Sequence, residues 1–436
     1  MEGGESDLST YHLIATAPTH ITLGGSAFGG KHLELAAEWL YDNREGSRDL
    51  HSGQRLHCAR LPSPLALAGA ATLALHVPPP APPAANFVTL GVHAPSPLHP
   101  VPYLSLAFDL GSASGAVPSL VRLAVVEEAF ARGLQERAAP HPCSPALHLP
   151  AERDSPPAAW ASAFAALPPL PACDGGSSSS SSSSEQALAA RHARLRQWGL
   201  VHLPPEAASA AAAAAAGQVL AMAGALGTVQ ETNYGRLFDV RAEAAPTNLA
   251  FTPLPLDLHT DNPYRTPAPG FQALHCLEQA RLGGETLFSS GWACAGALAR
   301  EDPQALALLL ATPLTFRYAD ARAQLCATRC VLSGAGGASV AYNARSQVAL
   351  AVGEASWRSA AQCRTVYAAL ARFEGLCSEE RHVVRVRLAP GEAVVWDNER
   401  VLHGRAAFEG PRYLQGCYLS RDSVLSAAAV ALDREG

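Results

Sequence analysis

His259 and Asp261 stand two apart in the stretch LDLHTDNPYR. On a strand, residues two apart project to the same face. An imidazole nitrogen and a carboxylate oxygen there supply two of the three donors of a 2-His-1-carboxylate set, which holds Fe(II) and leaves coordination positions open. A third donor stands far downstream: His403, in VVWDNERVLHGR. A bare HxD arises often by chance, and a capping Asp beside a surface His is the plain alternative, so the longer context must decide.

Arg412 follows His403 by nine residues, in PRYLQGCYL. If the next strand runs back antiparallel, Arg412 returns toward the metal, where its guanidinium suits a carboxylate bidentately. An arginine in an otherwise apolar strand is costly to bury without an anion, which is either a ligand or an internal Asp or Glu.

The elements that must position these residues read mostly as strands. From about Phe238 onward, short β-type runs alternate with turn clusters: NLAFTPLPLDLHTD, GFQALHCL, GGETLFSSG, RHVVRVRL, GEAVVWDN and RYLQGCYL. One helical interruption spans residues 295–310. Many short strands predict a double-sheet jelly roll, a double-stranded β-helix, mainly β with flanking helices. Upstream, EQALAARHARLRQWGL has helical spacing and leads into a strand, GLVHL, and the Ala-rich residues 206–226 predict a second helix. Residues 1–140 read as a small N-terminal β-rich domain with strands ATLALHV and YLSLAFDL around a Pro-rich break at 78–83. Residues 141–190 form a linker. Within it, residues 174–185 carry eight consecutive serines and are expected to be disordered. Residues 191–436 then make the jelly-roll domain that carries His259, Asp261, His403 and Arg412.

Composition excludes several classes. The chain has 436 residues, 48% hydrophobic and 16% charged, with a net charge of -6. No basic stripe suits nucleic acid or an anionic membrane. No segment is apolar enough to span a bilayer. The first residues, MEGGESDLS, are acidic and have neither a secretory nor a transit profile. A cytoplasmic location is expected, with mitochondria second. Ten cysteines are scattered without a CxxC pair, which suggests reduced thiols. Cys326 and Cys330 have the spacing to face each other on a helix.

HTDNPYRTPAPGFQALHCLEQARLGGETLFSSG, then WDNERVLHGRAAF, then RYLQGCYLSRD, resemble the γ-butyrobetaine dioxygenase-like branch of the TauD-type Fe(II)/2-oxoglutarate oxygenases. Three motifs match in order over residues 197–422. The resemblance implies iron ligation by His259, Asp261 and His403, and binding of the distal carboxylate of 2-oxoglutarate by Arg412. It matches Asn248 to a residue of the oxoglutarate pocket and Leu274 to an apolar residue lining it. It implies O2 as co-reactant and ascorbate as a supporting reductant. The gap from His403 to Arg412 is shorter than in the family members known to us, which leaves Arg405 as a fallback. The small domain of relatives binds zinc through cysteines. Here REGSRDL stands between EWLYDN and HSGQRL, with no cysteine, so zinc is not expected. A homodimer is expected by the same resemblance.

A quaternary ammonium has no N–H donors, and aromatic faces recognise it by cation–π attraction. The resemblance places Tyr234, Phe238, Phe251 and Tyr418 at such a cage, in a chain only 6% aromatic. The expected substrate is therefore a small trimethylammonium compound, γ-butyrobetaine first. Trimethyllysine, a trimethylaminoalkyl phosphonate or another betaine are alternatives, and a non-catalytic binding module of this fold is the alternative of another class. Arg265 and Arg236 are the arginines nearest the motif that could meet an anionic end, with a surface role as the other reading.

Overall fold

A computed structural model describes residues 8–47, 55, 61–62, 65–76, 101–110, 116–138, 181–205, 214–242, 249–320, 322–334, 339–353 and 359–433. The chain divides into two compact units. One joins residues 1–145 to 302–331 and 344–375; the other joins 146–301, 332–343 and 376–436.

The first unit has a three-stranded antiparallel sheet (His12–Ala17, His20–Gly24, Leu33–Ala36) and a four-stranded one built on Val101–Asp109. The strands expected from ATLALHV and YLSLAFDL are Thr72–His76 and Val101–Asp109, paired antiparallel. The later segments of this unit supply a hairpin, Pro313–Ala319 with Gln324–Cys330. Cys326 and Cys330 therefore lie on a strand and not on a helix, a strand paired along its whole length with Pro313–Ala319. Cys330 is disulfide-bonded, which corrects the expectation of wholly reduced thiols. Six other cysteines among the described residues are free.

The second unit carries two antiparallel sheets. In chain order its main strands are β1 (Leu200–Leu203), β2 (Val229–Gln230), β3 (Phe238–Arg241), β4 (Leu256–His259), β5 (Phe271–Glu278), β6 (Thr286–Ser290), β7 (Val383–Val386), β8 (Ala393–Asp397), β9 (Val401–Arg405) and β10 (Tyr413–Leu419). The larger sheet runs β3-β10-β5-β8-β1, with β2 also on β10; the smaller runs β4-β9-β6-β7.

The two faces of the larger sheet go to different places. Phe271, Ala273, Val395, Cys417 and Leu419 pack against helices α1 (Ser181–Trp198), α2 (Gln218–Gly224) and α4 (Arg421–Asp433), through Leu195, Met222 and Val424. On the other face Leu274, Cys276, Val394, Trp396 and Leu414 meet Phe288 and Val401 of the smaller sheet. Both faces are covered, so GFQALHC reads as a continuous buried run where a one-sided sheet would alternate. Phe288 and Trp396 are fully buried with ring centroids 5.3 Å apart. Truncating Phe288 to Ala would cost about 3–5 kcal/mol. The mostly β architecture with flanking helices is as expected, and the core between two sheets is what a jelly roll requires.

Local boundaries differ from expectation. Helix α1 begins at Ser181, inside the serine run that was expected to be disordered to Glu185. The described part of the Ala-rich helix is only Gln218–Gly224; residues 206–213 lie outside the described residues, as does the Pro-rich break. The single interruption at 295–310 is two helices: α3 (Gly291–Glu301) in this unit, and Pro303–Ala311 in the other. Asp302 divides them by accepting a bond from the Ala305 N–H, with Pro303 at the first helical position. At the end of α1, Gly199 has φ 75 and sits so close to Arg400 that a Cβ would lie 2.7 Å from its Cδ. Only glycine combines that turn with that approach.

Candidate active site

Strands β4 and β9 are neighbours, and their register sets His259 directly opposite His403. Both imidazoles are buried, and their ring centroids are 4.2 Å apart. Asp261 is not on the strand. β4 ends at His259, and a bend carries the carboxylate around to the two rings. One Oδ lies 3.3 Å from His259 Nε2 and the other 3.8 Å from His403 Nε2. The three ligand atoms lie within 4.8 Å of one another, and they are the one such group of three among the described residues. The Nδ1 of His259 is 2.7 Å from the carbonyl of Asp257. A carbonyl only accepts, so Nδ1 carries the proton and Nε2 is left as a lone-pair donor. The donor set fits a divalent iron with open positions.

The turn that holds Asp261 is heavily braced. Its N–H donates to Asn398 Oδ1 at 2.7 Å, while Asn398 Nδ2 donates to the carbonyls of Asp261 and Pro269. Thr260 exchanges backbone and hydroxyl bonds with Tyr342, and Asn343 Nδ2 donates to the Thr260 carbonyl at 3.1 Å. Tyr418 donates its hydroxyl to Asp261 Oδ2 at 2.9 Å. Burial first, and then the Asp261 carboxylate, hold the Tyr418 phenol well above its ordinary value, so it stays a donor.

The two downstream arginines separate clearly. Arg405, on β9, donates to the carbonyls of Ala250, Thr252 and Leu254 at 2.5–2.8 Å. It ties the loop before β4 to the strand that bears His403. Arg412 is equally buried, yet its polar contact among the described residues is the Gly284 carbonyl at 3.2 Å. Burial pushes it down to about 10, so it remains a cation at neutral pH. Neighbouring Cys276 is no counter-ion, because burial pushes its thiol up to about 11. Glu285, an acid whose charge reaches Arg412, pairs instead with Arg387 at 3.9 Å. A buried guanidinium without a carboxylate among the described residues suits an external one.

Leu274 is buried on the inner face of β5, opposite Gly416 and Val394. Tyr234, Phe238 and Tyr418 form a row, with ring centroids 6.4 Å and 5.0 Å apart. Gly416 makes the row possible: a Cβ there would lie 2.5 Å from the Phe238 ring. Phe251 is half-buried in a short 3-10 turn, and among the described residues no ring contact joins it to that row. Asn248 lies outside the described residues. Arg265 donates to the Asn233 carboxamide, and Arg236 is exposed.

Sequence reasoning passed over Asn398, Asn262, Tyr264 and Gln272. The polar residues of WDN and HTDNPY, set among buried neighbours, were the available clue. Gln272 lies directly opposite both Tyr418 and Trp396, and its carboxamide oxygen is buried with no partner among the described residues. Such an atom in the site wall suits a polar ligand.

Residues 166–418 match the model of the family described as "Taurine catabolism dioxygenase TauD, TfdA family". The chain is similar to a γ-butyrobetaine dioxygenase of Pseudomonas sp. (strain AK-1), 36% identical over 217 residues, which is 49% of this chain and 56% of that one. It is also similar to a mitochondrial trimethyllysine dioxygenase of Gallus gallus, 33% identical over 214 residues, 48% of this chain and 50% of that one. The chain thus spans about half the length of the curated relatives it matches. Among solved structures, a taurine dioxygenase from Burkholderia xenovorans aligns at 17% identity and TM-score 0.38, covering 57% of this chain and 90% of that one. The family match covers more than half of the chain, and it falls on the strands that bring His259, Asp261 and His403 together: this protein belongs to the TauD/TfdA dioxygenase family.

Proposed function

We propose that the protein hydroxylates a small trimethylammonium compound, γ-butyrobetaine first, in a reaction that consumes 2-oxoglutarate and O2 and yields succinate and CO2. The observation that carries this reading is the row Tyr234–Phe238–Tyr418 ending on the metal-site carboxylate, with a hydroxyl-to-carboxylate distance of 2.9 Å. A cationic head against those rings would keep its chain within reach of the metal.

His259 Nε2, Asp261 and His403 Nε2 would hold iron, which when bound supplies the redox chemistry that couples 2-oxoglutarate decarboxylation to C–H hydroxylation. Arg412 would take the distal carboxylate of 2-oxoglutarate in a bidentate grip, with Leu274 and Asn248 at the same pocket. Tyr418 keeps its proton and holds Asp261 in orientation. The apolar inner faces of the two sheets exclude water from the reacting atoms. Phe251 completes the aromatic wall in this reading, carried by the loop that Arg405 pins on either side of it.

Relatives named for trimethyllysine stand at 32–33% identity, so trimethyllysine is the second substrate to assay. The test is succinate and hydroxylated-product formation with a panel of betaines, trimethyllysine and a trimethylaminoalkyl phosphonate. Turnover with γ-butyrobetaine above all others supports the reading. Turnover only with another member reassigns the substrate. Absence of both Fe(II) binding and turnover would leave a non-catalytic module of this fold.

A further inference from the structure

The aromatic row is held at both ends by consecutive residues of the metal turn. At one end Tyr418 donates to Asp261 Oδ2 at 2.9 Å. At the other, Tyr264 donates its hydroxyl to Asn262 Oδ1 at 2.5 Å, and the hydroxyls of Tyr264 and Tyr234 are 3.1 Å apart. The proton of Tyr264 is committed to Asn262, so Tyr234 is the donor in the second bond. Asn262 and Tyr264 are buried, and burial holds the Tyr264 phenol well above its ordinary value. Asn262 has φ 53, a left-handed conformation that asparagine tolerates better than other side chains. That turn aims its carboxamide at Tyr264 instead of along the chain.

From this geometry we infer that Asn262 and Tyr264 are positioning residues: a hydrogen-bonded clamp that fixes the aromatic row relative to Asp261 and so sets which carbon of a bound trimethylammonium substrate meets the oxidant. The inference rests on the proposed function. Rings held only by packing can slide along the sheet. Rings pinned by hydroxyls at both ends hold one register, and a misplacement of about 1 Å lowers reaction efficiency severely. Neither residue is among the proposed metal ligands or at the Arg412 carboxylate, so on this reading the clamp's loss acts on aim and not on 2-oxoglutarate capture.

Tyr264→Phe removes one oxygen and keeps the ring. Asn262→Gly keeps the left-handed turn and removes the carboxamide. Both should raise the ratio of succinate to hydroxylated betaine, and the betaine KM, about fivefold, the size of one or two lost neutral hydrogen bonds, while the 2-oxoglutarate KM stays at the wild-type value. Calorimetric titration of γ-butyrobetaine into protein loaded with Mn(II) and 2-oxoglutarate should show the same weakening without turnover. Tyr234→Phe removes the other end of the bond, so the double variant with Tyr264→Phe should be no worse than Tyr264→Phe alone. Tyr234→Ala is the control on the underlying reading. If it weakens betaine binding while Tyr264→Phe and Asn262→Gly leave coupling and binding unchanged, the clamp is refuted and the aromatic site stands. If Tyr234→Ala also changes nothing, the aromatic site falls and takes the clamp with it.

Discussion

Residues 259–262 and the rings of Tyr234, Phe238 and Phe251 both belong to the candidate site, but they are held in place by different means. The first stretch is fixed by backbone and carboxamide bonds from Asn398, Tyr342 and Asn343, which match the backbone groups of Thr260 and Asp261. The second is a set of half-buried rings, Tyr234 in a turn, Phe238 on β3 and Phe251 in a 3-10 turn, the first two in ring contact and Tyr234 also held by its hydroxyl. Directional bonds specify position within tenths of an ångström; apolar contacts specify volume and tolerate exchange. A metal needs the first kind of wall, and a pocket for an apolar or cationic group can use the second.

The largest effect that would break this contrast is at the carboxylate. Asp261→Ala should weaken Fe(II) binding more than about 100-fold, beyond what loss of an outer-shell partner does, and abolish succinate formation. Metal titration followed by the coupled assay measures both. Retained binding would mean that the braced turn serves stability alone.

Next come the two arginines, which carry the same contrast within one side-chain type. Arg412→Ala should raise the 2-oxoglutarate KM on the order of 100-fold, as for a buried charge pair broken on one side, with little change in melting temperature. Arg405→Ala should do the opposite. It strips the partner from three carbonyls and should destabilise the fold by about 3 kcal/mol, with the 2-oxoglutarate KM nearly unchanged in the folded fraction. Exchanged outcomes would make Arg405 the cosubstrate residue.

How much of this was legible in the sequence follows from the same physics. The strand runs around GFQALHC and GEAVVWDN could be read because covered faces demand apolar residues, and the pairing of β4 with β9 confirms that His259 and His403 meet. The role of Asn398 could not be read, since a WDN triplet does not reveal that its carboxamide reaches back 137 residues to Asp261. The strand rule placed Asp261 on the face of His259, although the strand ends before it; a left-handed Asn262 turns the chain there, and a single αL residue has no periodicity to show. The arginine ambiguity yielded only to neighbours distant in sequence, the carbonyls of 250–254 for one and the neutral Cys276 for the other.

At the aromatic wall, Tyr418→Ala should raise the γ-butyrobetaine KM about 30-fold, near the value of a desolvated cation–π contact, and Tyr234→Ala somewhat less. Phe251→Ala should have a smaller effect still, because Phe251 stands apart from the row. The 2-oxoglutarate KM should not follow. Equal shifts in both constants would contradict a substrate-facing wall.

The smallest effect tests whether the bracing itself matters. Asn398→Ala removes a donor and an acceptor from the Asp261 peptide and leaves every proposed ligand in place. If directional bonds aim the carboxylate, Fe(II) affinity should fall about tenfold, the lower end for a lost outer-shell partner, while the betaine KM measured at saturating iron stays near wild type. Asn398→Asp preserves the acceptor that meets the Asp261 N–H at 2.7 Å and loses only the donor side, so it should recover part of that affinity. A variant that lost stability but not iron affinity would show that packing alone suffices to aim Asp261, and the distinction between the two walls would then be one of composition and not of mechanism.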